Sequence, residues 1–286
     1  MSGPLRVAYL GPAGTHTDEA LRASAESEVI QVPCATVRDA IMSVQQGETE
    51  RAVVPIENSL EGGVAATLDA LAGEADGVRI VRETVHSIHH HLIAGSDLDT
   101  ARIERVLSHP QAVGQCAAFL REQLPHAEVA GATSTAEAVR SVCAGDRPWA
   151  AIGSKLAAEL YGGTVVAERT EDRPDNVTRF VWLAPAVDVP APPSGAAKTS
   201  IVFWGFNDAS PGSLVSVLRE LSDREINLTK IESRPRRVRL GHYMFFADLE
   251  GGLAESHISE ALDALGERVE TLKVLGSYPA APSNRP

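Results

Sequence analysis

Short apolar runs alternate with stretches of helical period over the first two thirds of the chain, and each apolar run ends in small polar residues. Leu5-Arg6-Val7-Ala8-Tyr9-Leu10 reads as a buried strand. It leads into Gly11-Pro12-Ala13-Gly14-Thr15-His16-Thr17-Asp18, a glycine turn opening a helix with Thr and Asp near its cap. Val37 to Gln46 puts Val37, Ile41 and Val44 on one helical face and stops at Gly47. Arg51 to Ile56 is a strand that runs through Glu57-Asn58-Ser59-Leu60-Glu61-Gly62-Gly63 to a helix over 65–71. Val78 to His91 is strand-like, so that His89 and His91 share a face and His90 points the other way. Ile103 to Leu107 ends at Ser108-His109-Pro110-Gln111, with Ser108 as helix cap, Pro110 in the first turn, and Gln111 and Gln115 on one face. Glu128 to Ala132 precedes the capping box Ser134-x-x-Glu137. Trp149 to Lys155 repeats the strand-to-helix pattern, and that helix stops at Gly162-Gly163. Asp175 to Leu183 begins polar and ends apolar and aromatic, a loop running into a strand with Thr178 and Arg179 at its start.

Residues 1–184 therefore predict an α/β domain with a mostly parallel sheet, long enough for two lobes with a cleft between them. Residues 185–197 hold Pro185, Pro190, Pro192, Pro193 and Gly195 and read as a linker. Residues 198–280 predict strand, helix, strand, strand, helix, strand, an α+β ferredoxin-like (βαββαβ) sandwich with two helices on one face. From Tyr278 onward the composition predicts a frayed end, with residues 281–286 as a tail.

Composition narrows the function. The 286 residues carry a formal net charge of -12, which argues against a nucleic-acid or anionic-membrane surface. A small anionic ligand is not excluded, because it feels its pocket more than the distant surface. Cys34, Cys116 and Cys143 are far apart and form no CxxC pair, so neither a disulfide framework nor a cysteine zinc site is indicated, and a reducing, cytoplasmic compartment is expected. No signal peptide and no bilayer-spanning stretch is read.

The candidate chemistry sits at the strand ends. The turn at Gly11 to Thr15 is either an anion site built from backbone N–H groups and a helix dipole or a plain tight turn. Its spacing is neither a dinucleotide fingerprint nor a P-loop. In an open α/β sheet, ligands sit outside the carboxyl ends of strands, and two such loops at one crevice count for more than either alone. Ser108, Gln111 and Gln115 can hold a polar ligand without charge. Thr178 beside Arg179 can meet an anionic substrate with an oxygen to protonate, or can be a strand Thr and an exposed Arg. His86, His89, His90 and His91 invite a metal, but spacing places no third ligand, and half-buried strand histidines are the preferred reading.

Five short motifs in this order resemble the monofunctional prephenate dehydratases. They are Gly11-Pro12-x-Gly14-Thr15, Pro55-Ile56-Glu57-Asn58-Ser59, Ser108-His109-Pro110-Gln111-Ala112 with Gln115-Cys116, Thr178-Arg179-Phe180, and the pair Pro211-Gly212-Ser213-Leu214 and Ile231-Glu232-Ser233-Arg234-Pro235. Two positions depart from the family's habit: His16 stands where Phe or Tyr is usual, and Ser213 where Ala is common. The resemblance implies a two-lobed, type II periplasmic-binding-protein-like catalytic domain and a C-terminal ACT domain. The implied reaction is loss of CO2 and water from prephenate to give phenylpyruvate, with no cofactor or metal, under feedback by L-phenylalanine. It assigns Thr178 to the leaving hydroxyl. Arg179 is expected at a carboxylate, and Glu57 either as a proton source or as a structural contact. Asn58, Ser59, Ser108, Gln111, Gln115 and Thr15 form the expected substrate-binding set. Pro211, Gly212, Ser213, Leu214, Asn227, Glu232 and Ser233 are the expected effector residues, at a site between two ACT domains, which implies a homodimer or homotetramer. Arogenate as substrate and a non-catalytic anion-binding protein with an amino-acid sensor are the alternatives.

Overall fold

The computed structural model describes residues 3–189, 196–206 and 210–281. Pro190, Pro192, Pro193 and Gly195 of the expected linker and residues 282–286 of the expected tail lie outside them. In chain order the elements are β1 (Leu5–Leu10), α1 (His16–Ser24), β2 (Val29–Cys34), α2 (Val37–Gln45), β3 (Arg51–Asn58), β4 (Gly62–Gly63), α3 (Ala65–Gly73), β5 (Val78–Ser87), β6 (His91–Ala94), β7 (Arg105–Ser108), α4 (Pro110–Gln115), α5 (Ala117–Gln123), β8 (Glu128–Gly131), α6 (Thr135–Cys143), β9 (Trp149–Gly153), α7 (Lys155–Tyr161), β10 (Thr164–Ala167), β11 (Val177–Pro185), β12 (Ala197–Trp204), α8 (Ser213–Ser222), β13 (Leu228–Pro235), β14 (Tyr243–Glu250), α9 (Ser256–Gly266) and β15 (Thr271–Pro279). They build three sheets, in the orders β2-β1-β3-β11-β5 with β4 on β3, β10-β6-β9-β7-β8, and β13-β14-β12-β15. The chain divides into two compact units, Met1–Ala40 with Val53–Val64 and Val85–Phe180, and Ile41–Ala52 with Ala65–Thr84 and Val181–Pro286.

In the first unit the sheets are mixed, not mostly parallel. β7 is parallel to β8 and to β9, while β6 is antiparallel to β9 and to β10. A buried apolar run reads the same in either direction, so the pattern alone could not set strand polarity. Alternation does place the cores. Leu92, Val106, Ala150 and Ile152 face Ala112, Cys116 and Leu120. Ile93 and Ala151 face Ala136, Val139, Val142, Ala157 and Ala158 on the other side. The histidine stretch also differs from expectation: β5 stops at Ser87, and His89 and His90 lie between strands.

The glycine turn after β1 is docked rather than open. Ser154 Oγ donates to Gly14 O (2.6 Å) and Tyr161 Oη to Ala13 O (2.7 Å). Gly14 has φ +85°, and a Cβ there would lie 2.9 Å from Ala157 Cα. Its N–H is taken by Asp18 Oδ2 (2.9 Å), and Asp18 N–H by Thr15 Oγ1 (3.3 Å). This reciprocal cap consumes donors that the anion-site reading needed.

In the second unit β12 to β15 with α8 and α9 form the expected ferredoxin-like sandwich. Ile201, Phe203, Val217, Leu221, Ala247, Leu249, Ile258 and Leu265 are its core. The other face of the sheet is buried as well. Lys198 Nζ reaches both oxygens of Glu83 (2.8 and 2.9 Å), and a Cβ on Gly276 would collide with Ile80 O. Tyr278, expected to be frayed, is 0% exposed, and its hydroxyl meets Ser200 Oγ at 2.7 Å. Its aromatic ring has more apolar surface to bury than the following Pro and Ala have freedom to lose.

Gly14→Ala should destabilise the fold by about 1–3 kcal/mol, because it combines left-handed backbone strain with a contact to Ala157 backbone. A lower urea midpoint checks this; an unchanged midpoint would show that the turn gives way freely.

Candidate active site

Three helix starts and two strand ends of the first unit line one cavity of about 330 Å3. Thr15, His16 and Thr17 come from the start of α1, His109, Gln111 and Ala112 from α4, and Thr133, Ser134 and Thr135 from α6. Asn58 ends β3, and Thr178 and Phe180 lie two apart on one face of β11. His90, Gln115 and Asn176 complete the polar lining, and the lining contains no Lys, Arg, Asp or Glu. Negative charge placed here meets helix N-termini and neutral donors instead of cations.

The polar groups form one chain of hydrogen bonds. Asn58 Oδ1 accepts from Leu60 N (3.0 Å) and Glu61 N (3.1 Å), which fixes the amide orientation. Asn58 Nδ2 then donates to Asn176 Oδ1 (2.7 Å) and to Thr178 Oγ1 (2.8 Å). Asn176 Nδ2 donates to Gln115 Oε1 (3.1 Å), which also accepts from His90 Nε2 (2.9 Å). Thr178 is 7% exposed, accepts from Asn58, and keeps its own O–H to give.

Thr178, Asn58, Gln111, Gln115 and Thr15 therefore meet at the cavity, and the other expected residues do not. Glu57 and Arg179 precede Asn58 and follow Thr178 on their strands, so they point to the opposite side, where Arg179 Nη2 and Glu57 Oε2 pair at 3.2 Å. Ser59 stitches the two strands: its Oγ accepts from Val177 N (3.0 Å). Ser108 is not the helix cap. It ends β7, fully buried, with Oγ donating to Ile152 O (2.7 Å). His109 caps α4 instead, accepting from Gln111 N through Nδ1 (3.3 Å). Pro110 at the first helical position already carried that signal, since the cap precedes N1.

The reading of the sequence missed His16, His90 and Asn176. Asn176, two residues before Thr178, carried a positional signal; His90 was hidden in a histidine run read for metal. His89 Nδ1 instead meets Glu171 Oε1 (2.8 Å) and His90 N donates to Glu171 Oε2 (2.9 Å). Among the described residues no group of three His, Cys, Asp or Glu is placed to hold a metal ion, and no helix is long and apolar enough to cross a membrane.

In the second unit a cavity of about 360 Å3 is lined by Phe206, Gly212, Ser213, Leu214, Tyr243 and Phe245, among others. It gathers three of the expected effector residues. Pro211 adjoins them in sequence, but Asn227, Glu232 and Ser233 do not line it, and Glu232 pairs with Lys230 at 3.2 Å.

An α/β unit with a cation-free polar cavity at its helix starts, followed by a ferredoxin-like sandwich with its own apolar pocket, is the build of a small-molecule enzyme carrying a regulatory module. The chain belongs to the prephenate dehydratase family, whose pattern matches residues 7–187, and the ACT domain pattern matches residues 207–267. It is 40% identical over 279 residues to a bifunctional chorismate mutase/prephenate dehydratase of Neisseria gonorrhoeae, covering 97% of this chain and 75% of the relative. It is 39% identical over 277 residues to a prephenate dehydratase of Amycolatopsis methanolica, covering 96% of this chain and 89% of the relative. The crystal structure of a prephenate dehydratase from Arthrobacter aurescens in complex with L-Phe superposes with a TM-score of 0.88 at 36% identity, covering 98% of this chain and 92% of that one.

Burial pushes the His90 imidazole down to about 4, helped by neighbouring His16. Burial alone would raise the Glu19 carboxyl, but hydrogen bonds from His16 and His86 outweigh it and hold it at about 2. Both values lie below those of the unfolded chain, so both groups add stability at neutral pH and lose it on acidification. The His90 contribution, of order 3 kcal/mol, should fade as pH falls from 6.5 to 4. That of Glu19 should fade from 4.5 toward 2. Denaturation midpoints across pH 7 to 2 check this, with His90→Gln expected to flatten the upper step; an equal slope in that variant would remove His90 from it.

Proposed function

We propose that this chain is a prephenate dehydratase working in the cavity around Thr178, and that L-phenylalanine inhibits it through the ACT domain. Residues 1–184 carry the chemistry and residues 198–280 the regulation, in a cytoplasmic homodimer or homotetramer. Family membership supports the reaction class, and the observation that carries the site is the Asn58–Thr178 hydrogen bond. By filling an acceptor position on Thr178 Oγ1, Asn58 directs the Thr178 O–H at the ligand. In prephenate, loss of the ring carboxylate as CO2 and of the hydroxyl as water makes the ring aromatic, so the driving force lies in the substrate. The protein must hold a dianion and stabilise the departing oxygen. Thr178 donates a hydrogen bond that strengthens as the C–O bond breaks. The start of α6 and the Gln111 amide take the carboxylates. Asn58, Asn176 and Gln115 act as the rigid support of Thr178, and Glu57 and Arg179 tie the strands together on the far side.

Phenylpyruvate formation from prephenate, followed by absorbance in base, tests the reaction. Thr178→Ala should lower kcat by roughly 10²–10⁴-fold, far more than its effect on stability, and Thr178→Ser should retain much more. Equal turnover of Thr178→Ala and wild type would leave Thr178 a plain strand residue. Activity on arogenate alone would move the substrate assignment. Phenylalanine should suppress turnover in wild type and lose its grip in Gly212→Ala, because Gly212 has φ +85° at the pocket and an added Cβ strains that turn. Suppression that survives the change would take the effector away from this pocket.

A further inference from the structure

A buried hydroxyl without a hydrogen-bond partner costs stability and calls for an explanation. The cavity around Thr178 contains such a group. Thr17, in the first turn of α1, is 4% exposed and belongs to the lining. Its Oγ1 makes no hydrogen bond among the described residues. The sealed, unpartnered side-chain atoms nearby are His16 Nε2 and His90 Nδ1, and Thr17 Oγ1 is not one of them. The surface that this oxygen keeps therefore opens into the cavity.

The other hydroxyls of the lining are committed or more exposed. Thr15, expected from the sequence to bind substrate, spends its hydroxyl on the fold: Oγ1 donates to Leu10 O (2.8 Å) and accepts from Asp18 N (3.3 Å). Thr178 Oγ1 accepts from Asn58 Nδ2 (2.8 Å), and its O–H serves the departing oxygen in the reading above. Ser134 Oγ accepts from Glu137 N (3.0 Å) as the cap of α6. Thr133 and Thr135 flank that cap and are less buried than Thr17. Thr17 is thus the buried hydroxyl that neither the fold nor the reaction has yet used.

Resting on the dehydratase reading, we propose that Thr17 is a substrate-binding residue whose O–H donates to the side-chain carboxylate of prephenate, the one that survives into phenylpyruvate. The lining holds no Lys or Arg, so a dianion depends on neutral donors there, and an O–H donating to a carboxylate is among the stronger of these. Two carboxylates offer more lone pairs than the start of α6 and the Gln111 amide can fill. The chemistry selects between the two carboxylates. A donor on the ring carboxylate would hold charge that must flow into the ring as CO2 leaves, and so would oppose the reaction. A donor on the side-chain carboxylate keeps its bond from substrate to product. Such a contact is equally strong before and during C–O cleavage, so it acts on binding and not on the chemical step.

The test measures kcat and KM on prephenate, competition by phenylpyruvate, and the urea midpoint for wild type, Thr17→Val, Thr17→Ser and Thr15→Val. Thr17→Val keeps the shape of the side chain and loses the hydroxyl. KM and the phenylpyruvate inhibition constant should each rise roughly 10–100-fold, with kcat little changed. The urea midpoint should stay level or rise, because a buried unpaired hydroxyl has gone. Thr17→Ser should keep KM near wild type. Thr15→Val should instead lower the midpoint, since its hydroxyl ties α1 to Leu10. If the valine variant does not fold, Thr17→Ala is read the same way. A folded Thr17→Val with wild-type KM and inhibition constant would overturn the inference while leaving the dehydratase standing. So would a lower kcat at unchanged KM, which would place the hydroxyl at the departing oxygen, or a midpoint that falls as KM rises, which would make Thr17 a packing residue. Wild-type protein inert on prephenate would overturn the dehydratase and this inference with it.

Discussion

The side-chain amide of Asn58 is the point on which the candidate site depends. It closes β3, and its oxygen is held by the N–H groups of Leu60 and Glu61. Its nitrogen reaches Asn176 and Thr178, more than a hundred residues later in the chain. One amide therefore fixes the loop after β3, the start of β11 and the hydrogen-bonding role of Thr178. Leucine or alanine in its place would lose the turn, the strand bridge and the hydrogen bond to Thr178 Oγ1 together. Buried polar chains of this kind specify geometry strongly because a half-satisfied network is costly. Gln115 has the same property one link further on: its single oxygen serves Asn176 and His90.

A cavity without Lys or Arg has consequences for an enzyme that takes a dianion. Negative charge placed there would meet helix N-termini and neutral side-chain donors. The starts of α1, α4 and α6 converge because each follows a strand end, the place where an α/β sheet delivers helix N-termini to one crevice. The net charge of -12 does not oppose this, since most of those carboxylates are exposed and screened within about 10 Å.

The fold was legible where periodicity and punctuation agree. Gly162 after Tyr161 stops α7 in the left-handed conformation, and residues 198–280 hold the expected two helices and four strands. The cavity lining was legible at Asn58, Gln115 and Thr178, where polar residues stand at the junction of an apolar run and a loop or helix. Strand polarity was not, because β6 and β9 read alike in either direction. The inward or outward sense of Glu57 and Arg179 was not legible either, since it needs the pleat phase of β3 and β11, which the flanking loops set. His90 required knowing that β5 ends at Ser87. Tyr278 was misread because composition at a terminus speaks of chain freedom and not of what a single ring can bury.

The second unit shows why regulation and chemistry do not separate at the linker. The β12–β15 sheet has helices α8 and α9 on one face, while its other face covers residues 65–84. Glu83, with its side chain 2% exposed, is neutralised by Lys198. Arg234, directly after Glu232-Ser233, holds Asp69 of α3 through two bonds of 2.8 and 3.1 Å. Lys273 caps α3 at Leu71 O (2.7 Å). Removing residues 198–286 would bare Ile80, take Lys198 away from the buried Glu83 carboxylate and remove the Lys273 contact at the end of α3. Removing one partner of a buried ion pair costs about 3–5 kcal/mol, a large part of the stability of a domain this size. Such a truncation would therefore damage the packing of residues 65–84 within the second unit, whereas point changes in the Gly212 pocket leave that packing in place.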